Sequence, residues 1–182
     1  MTTLQEKAKK FATKAHEGQV RKSTGTPMIG HPIRVALQLE KAGFPDYVVA
    51  AGYLHDTVED TSVTKEDIIR EFGEKTAFVV EGNTENKNHT WEERKTHTIL
   101  AIKNAPLEIK ALVVADKLDN LSSLMEDYET LGEDLWKSFK RGRDKQKWYF
   151  EGVANNMREG LKEEEIPSFF AEYEEKVKTF FK

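Results

Sequence analysis

Residues 53–61 read Tyr53-Leu54-His55-Asp56-Thr57-Val58-Glu59-Asp60-Thr61. They continue a segment that starts at Pro45-Asp46 and carries Val48, Val49, Ala51 and Leu54, a pattern that predicts helix. Carried through as helix, the stretch sets Glu59 four residues from His55 and three from Asp56, with Asp60 four from Asp56. All four side chains then share one broad face. An imidazole and three carboxylates on one face repel one another unless a cation neutralises them. The stretch points to a metal-dependent hydrolase.

Upstream, Leu4, Ala8, Phe11, Ala12 and Ala15 mark an amphipathic helix that stops at Gly18. Residues 19–30 lack periodicity and carry Arg21-Lys22-Ser23 before a Thr24-Gly25-Thr26-Pro27 turn, so they read as a loop. His31-Pro32 opens a helix that closes at Gly43, with Pro32 suited to its first turn. Downstream, Thr64 with Asp67 predicts a short helix ending at Phe72-Gly73, and residues 76–81 extend it after a break. Thr90-Trp91-Glu92-Glu93 is a capping box for a helix to about Lys103, and Pro106 begins a long helix through Met125. An aromatic helix follows Gly132 (Leu135, Trp136, Phe139), another spans about 144–161, and a last one starts from Pro167. No alternating strand and no internal repeat stands out. The expectation is an all-α bundle of eight or more helices.

The length of 182 residues predicts a single domain, with about 162–182 as a C-terminal helical extension. The net charge of −4 argues against a nucleic-acid or anionic-membrane partner, while a local basic cleft can still take a small phosphorylated ligand. With no cysteine, thiol nucleophiles and Cys-based zinc sites are excluded. The start of the chain has no apolar targeting segment and no run reaches membrane-spanning length, so a cytoplasmic location is expected. The oligomeric state is left open.

Three segments offer metal ligands: His31, His55-Asp56 and Asp116. Asp116 follows the apolar run Ala111-Leu112-Val113-Val114-Ala115, so it must be paired, hydrogen-bonded or metal-bound. Together the four make a set of two nitrogens and two carboxylates, suited to a borderline-hard divalent ion with positions left for water. Each member alone also has an ordinary reading. Asp116 could cap a helix or pair near Lys117, His31 could be a loop or capping histidine, and His-Asp is a common dipeptide. His16, His89 and His97 read as surface or core histidines, and Trp136, Trp148 and Tyr149 as core.

His31, His55-Asp56 and Asp116 resemble the metal set of the HD superfamily of phosphohydrolases, which is all-helical. The residues around them sharpen the likeness. Ala15-His16-Glu17-Gly18-Gln19-Val20-Arg21-Lys22-Ser23, Pro27, His31-Pro32, residues 54–61 and Ala115-Asp116-Lys117-Leu118-Asp119-Asn120-Leu121 resemble the hydrolase domain of Rel/SpoT-type stringent-response enzymes. They are equally similar to the small alarmone hydrolases, the metazoan SpoT-like enzyme included. That resemblance covers about residues 5–160. It implies Mn²⁺-dependent removal of the 3′-pyrophosphate from guanosine tetra- and pentaphosphate. His31, His55, Asp56 and Asp116 would hold Mn²⁺, and Glu59 and Asp60 would activate the attacking water and manage the proton at the leaving oxygen. Arg21, Lys22, Ser23 and Asn120 would bind the guanine nucleotide, with Arg21 stacking on the base.

Three departures fall on substrate contacts. Thr24 lengthens the usual Arg-Lys-Ser-Gly loop. Gly82-Asn83-Thr84-Glu85-Asn86-Lys87 replaces a Gly-Val-Thr-Lys segment, and Asp119 and Ser122 stand where the long enzymes carry His and Arg. All implied ligands and both carboxylates are kept. The length is expected to leave no room for a synthetase domain. Two alternatives remain: an HD hydrolase for another nucleotide, such as the 2′-phosphate of NADPH, and a nucleotide-binding sensor without turnover.

Overall fold

The computed structural model describes residues 2–20 and 25–182. The described residues are all-α, as expected, with a lone antiparallel bridge between Val20 and Pro27. No described helix is long and apolar enough to cross a membrane. The chain forms two compact units, Met1–Asn88 and His89–Lys182.

The first unit contains α1 (Leu4–Ala15), α2 (Gly30–Lys41), α3 (Asp46–Leu54), α4 (Thr57–Asp60), α5 (Lys65–Phe72) and α6 (Glu74–Asn83). Every residue from Val48 to Leu54 is buried. A helix apolar on all sides must be covered on all sides, and α1, α2 and α6 all pack on α3. The covering helices are amphipathic: α1 buries Ala8 and Ala12, and α2 buries Val35, Ala36 and Leu39.

Local chemistry sets several of these helix ends, and the Thr64 cap falls where the sequence predicts it. Thr3 with Glu6 and Thr64 with Asp67 form full capping boxes. Gly73 separates α5 from α6 at φ 84°, ψ 165°, a conformation essentially confined to glycine.

The second unit contains α7 (Trp91–Asn104), α8 (Leu107–Leu131), α9 (Gly142–Asn156) and α10 (Ser168–Phe180), with 3₁₀ turns at Gly132–Ser138 and Glu163–Glu165. Thr90 and Glu93 form the predicted capping box. Within this unit α10 packs on α8 and α9, burying Phe169, Phe170, Tyr173 and Val177. The Tyr173 hydroxyl donates to Phe150 O at 3.0 Å, and its complete burial pushes its pKa well above the ordinary phenol value. Lys110 is buried because its ammonium closes the end of α7, donating to Ile102 O at 2.5 Å and Lys103 O at 3.0 Å. Desolvation lowers its pKa.

Two expectations need correction here. The aromatic segment after Gly132 is a seven-residue 3₁₀ helix, Gly132–Ser138, rather than an α-helix; it buries Leu135 and Trp136, and Phe139 follows its end. Trp148 is 38% exposed and is not core, whereas Trp136 and Tyr149 are buried. Lys145 Nζ lies over the Trp148 ring at 5.3 Å, so the ring has a cation as well as solvent beside it.

Candidate metal centre and acid–base pair

α2 begins one residue before His31, and α3 ends one residue before His55. Both histidines are buried, at 3% and 0% exposure. Their helices approach closely at Gly52, where a Cβ would meet Ala36 Cα at 2.8 Å. The two rings stand edge to face with centroids 5.0 Å apart, and their Nε2 atoms are separated by 3.1 Å.

The tautomer of His55 follows from its other nitrogen. Nδ1 lies 2.8 Å from Gly52 O, a group that can only accept, so Nδ1 carries the proton. In the neutral ring Nε2 then presents a bare lone pair toward His31. Asp56 adds charge to the same point, with Oδ1 3.2 Å from His55 Nε2 and Oδ2 3.6 Å from His31 Nε2. Two imidazole nitrogens and a carboxylate converging in a buried place fit a divalent cation. The carbonyl behind His55 is the usual outer support for a ligating histidine.

The helix does not run unbroken through 53–61, contrary to the expectation of one continuous face. Side chains take the carbonyls that the backbone ladder would use. His55 Nδ1 takes Gly52 O, and Thr57 Oγ1 donates to Leu54 O at 2.7 Å. α4 is therefore a separate single turn, in which Asp60 N donates to Asp56 O at 2.9 Å. Glu59 and Asp60 sit on this turn. Lys87 Nζ donates to Asp60 Oδ1 at 2.8 Å and also to Glu59 O, so one ammonium ties down both residues.

Asp116 lies in the second unit, on α8, and is buried as its apolar surroundings require. It accepts from Lys117 Nζ at 2.6 Å and from Asn120 Nδ2 at 2.7 Å. Asn120, expected at the nucleotide, thus also orients a carboxylate. Arg21, Lys22 and Ser23 lie outside the described residues.

Other histidines behave as their sequence contexts suggest: His89 and His97 are exposed and His16 is buried. A groove of about 1150 Å³ runs along α1, with Lys9, Lys10 and Lys14 on its wall. It does not include the histidine pair among its described lining residues, and the converging donors, not this groove, define the site.

Sequence reasoning missed Gln19, whose side chain reaches Asp60 O at 2.8 Å. The residue stands beside the basic loop in the sequence, but its partner is 41 positions away.

An HD-domain family model matches residues 8–144. The guanosine-3′,5′-bis(diphosphate) 3′-pyrophosphohydrolase of Aquifex aeolicus is 37% identical over 65% of this chain and 17% of its own length. The bacterial relatives first matched are spanned for only 16–18% of their length, and the vertebrate MESH1 proteins of zebrafish, human and mouse for 65%. Among solved structures, lmo0812 from Listeria monocytogenes EGD-e superposes with TM-score 0.80 at 52% identity, over 83% of this chain and 98% of that one. A metazoan ortholog of SpoT, described as hydrolysing ppGpp, superposes with TM-score 0.81 at 25% identity, over 99% of this chain and 97% of that one.

Proposed function

Because this chain belongs to the HD domain family, we propose that it is a metal-dependent hydrolase that removes the 3′-pyrophosphate from guanosine tetra- and pentaphosphate, giving GDP or GTP and pyrophosphate. The observation that carries this reading is the convergence of His31 Nε2, His55 Nε2 and the Asp56 carboxylate, one turn before a paired Glu59 and Asp60. Relatives named for this reaction, at 37–41% identity, support the substrate class.

His31, His55 and Asp56, with Asp116 as a further carboxylate, would hold the ion, and Mn²⁺ is the proposed occupant. When bound, such an ion lowers the pKa of water and offsets phosphate charge. The chain's own groups do the rest. Glu59 accepts the proton of the water that attacks the 3′-phosphorus, and Asp60 manages the proton that reaches the ribose 3′-oxygen as the O–P bond breaks. Carboxylates repel a polyphosphate, so cationic contacts are needed to bind it. Arg21 and Lys22 are the proposed contacts, with Arg21 stacked on the base, and Ser23 and Asn120 bind around base and ribose.

The test is hydrolysis of ppGpp by the purified protein with Mn²⁺, read as released pyrophosphate. Turnover that His55→Ala and Asp56→Ala abolish supports the reading. Turnover of NADPH without turnover of ppGpp would move the activity to another nucleotide. Tight ppGpp binding without turnover in Mn²⁺, Fe²⁺, Co²⁺ or Mg²⁺ would leave a sensor instead of an enzyme.

A further inference from the structure

We propose that Gln19 is a positioning residue for the acid–base pair, oriented by buried His16; this rests on the hydrolase reading above. α4 is one turn long, and a helix that short does not hold its own geometry. The carbonyl of its last residue, Asp60, is one of the groups left without an intrahelical partner at a helix end. Gln19 Nε2 supplies that partner at 2.8 Å. Lys87 holds the same residue by its side chain. Asp60 is thus fixed from two directions, by the turn after α1 and by the loop after α6.

The orientation of the Gln19 amide is determined by its two neighbours. Asp60 O can only accept, so the NH₂ group must face it. Oε1 then faces His16 Nδ1 at 2.8 Å, which makes Nδ1 the protonated nitrogen. His16 is 2% exposed, and its Nε2 is buried without a hydrogen-bond partner among the described residues. With the proton on Nδ1, the unpartnered Nε2 is the lone-pair nitrogen of the neutral ring, and the His16–Gln19–Asp60 chain is consistent from end to end.

The backbone of Gln19 is fixed as well. Its N–H donates to His16 O at 3.0 Å, and its carbonyl accepts from Met28 N at 2.9 Å. The adjacent bridge pairs Val20 with Pro27. Gln19 therefore joins the Val20–Pro27 bridge to the turn bearing Glu59 and Asp60. Its loss lets that turn shift relative to the substrate, and a displacement of about 1 Å at reacting groups costs roughly 100-fold in rate.

The test compares Gln19→Ala and the near-isosteric Gln19→Glu with the parent, assaying ppGpp hydrolysis in Mn²⁺. Gln5→Ala is the control, since it removes another glutamine tether of α1, to Asp46. The expected result is a kcat lower by about 10- to 100-fold in both Gln19 variants. KM should stay within about threefold, with the parent's metal content retained, because neither measures the turn's geometry. Amide exchange at Asp60 and Thr61 should speed up in both variants, and Gln5→Ala should leave all of these unchanged. Parent-like kcat, a kcat loss that tracks lost metal, or failure of both Gln19 variants to fold would overturn the proposal. A parent that does not turn over ppGpp overturns the hydrolase reading and the catalytic role with it. That result is distinct from an active parent whose Gln19 variants match it.

Discussion

His31 Nε2 and His55 Nε2 face each other at 3.1 Å in a buried place, and the proton on His55 Nδ1 is committed to Gly52 O. Two ring nitrogens aimed at one point, with the Asp56 carboxylate beside them, form an electron-rich cluster that a cation stabilises. Metal should therefore raise thermal stability. At free Mn²⁺ about 100-fold above its Kd the gain is about 2.7 kcal/mol. Calorimetry with and without Mn²⁺ checks this, and His31→Ala and His55→Ala should remove the shift. A parent with no metal-dependent shift would contradict the assignment.

Glu59→Gln separates ligand from base. The amide cannot accept the proton from water, so turnover should fall by about 10²–10⁴-fold while bound metal persists. Metal analysis of the purified variant beside its rate decides the point. Loss of metal would make Glu59 a ligand.

Gly52→Ala tests how helix packing builds the site. The added methyl would lie 2.8 Å from Ala36 Cα and 3.1 Å from Ala36 N, and backbone atoms cannot swing aside. The expected cost is about 1–3 kcal/mol, from overpacking. Because Gly52 O also orients His55, Mn²⁺ affinity should fall about tenfold or more. Unchanged affinity in a destabilised variant would show that the close approach of α2 and α3 at Gly52 does not position the ligands.

Asp67 provides a pH test away from the site. The Thr64 backbone N–H, then the Thr64 hydroxyl, then Arg70 hold its carboxyl at about 2 against an ordinary 3.8. A depressed carboxyl stabilises the fold above its unfolded pKa and loses that contribution as pH falls through the folded value. Asp67→Asn should therefore lower Tm near neutral pH, and the gap to the parent should close between about pH 4 and pH 2. Thr64→Ala, which removes the cap itself, should cost about 1 kcal/mol near neutral pH. A gap that stays constant with pH would assign the effect to something other than the carboxylate.

The helices were legible because their boundaries are local chemistry. Thr64 with Asp67 and Thr90 with Glu93 sit within one turn of each other, and each pair closes its own capping box whatever the rest of the chain does. The chemical character of His31, His55, Asp56, Glu59 and Asp60 was likewise readable, since residue type and spacing establish which donors are on offer. Their arrangement was not. The break after Leu54 arises because His55 and Thr57 side chains take backbone carbonyls, a competition that periodicity does not register. The 3.1 Å approach of the two Nε2 atoms depends on α2 meeting α3 at a glycine, 21 residues after His31 in the sequence. Gln19 reaches Asp60 only once α1 has packed on α3. By itself, then, the sequence determined the capped helix starts at Thr64 and Thr90, though not the break after Leu54, and which ligand atoms exist, because those are short-range properties. Only the tertiary structure decided which lone pairs face each other and which amide holds which carbonyl, because hydrogen bonds and ligand geometry require ångström-scale placement of residues far apart in the chain.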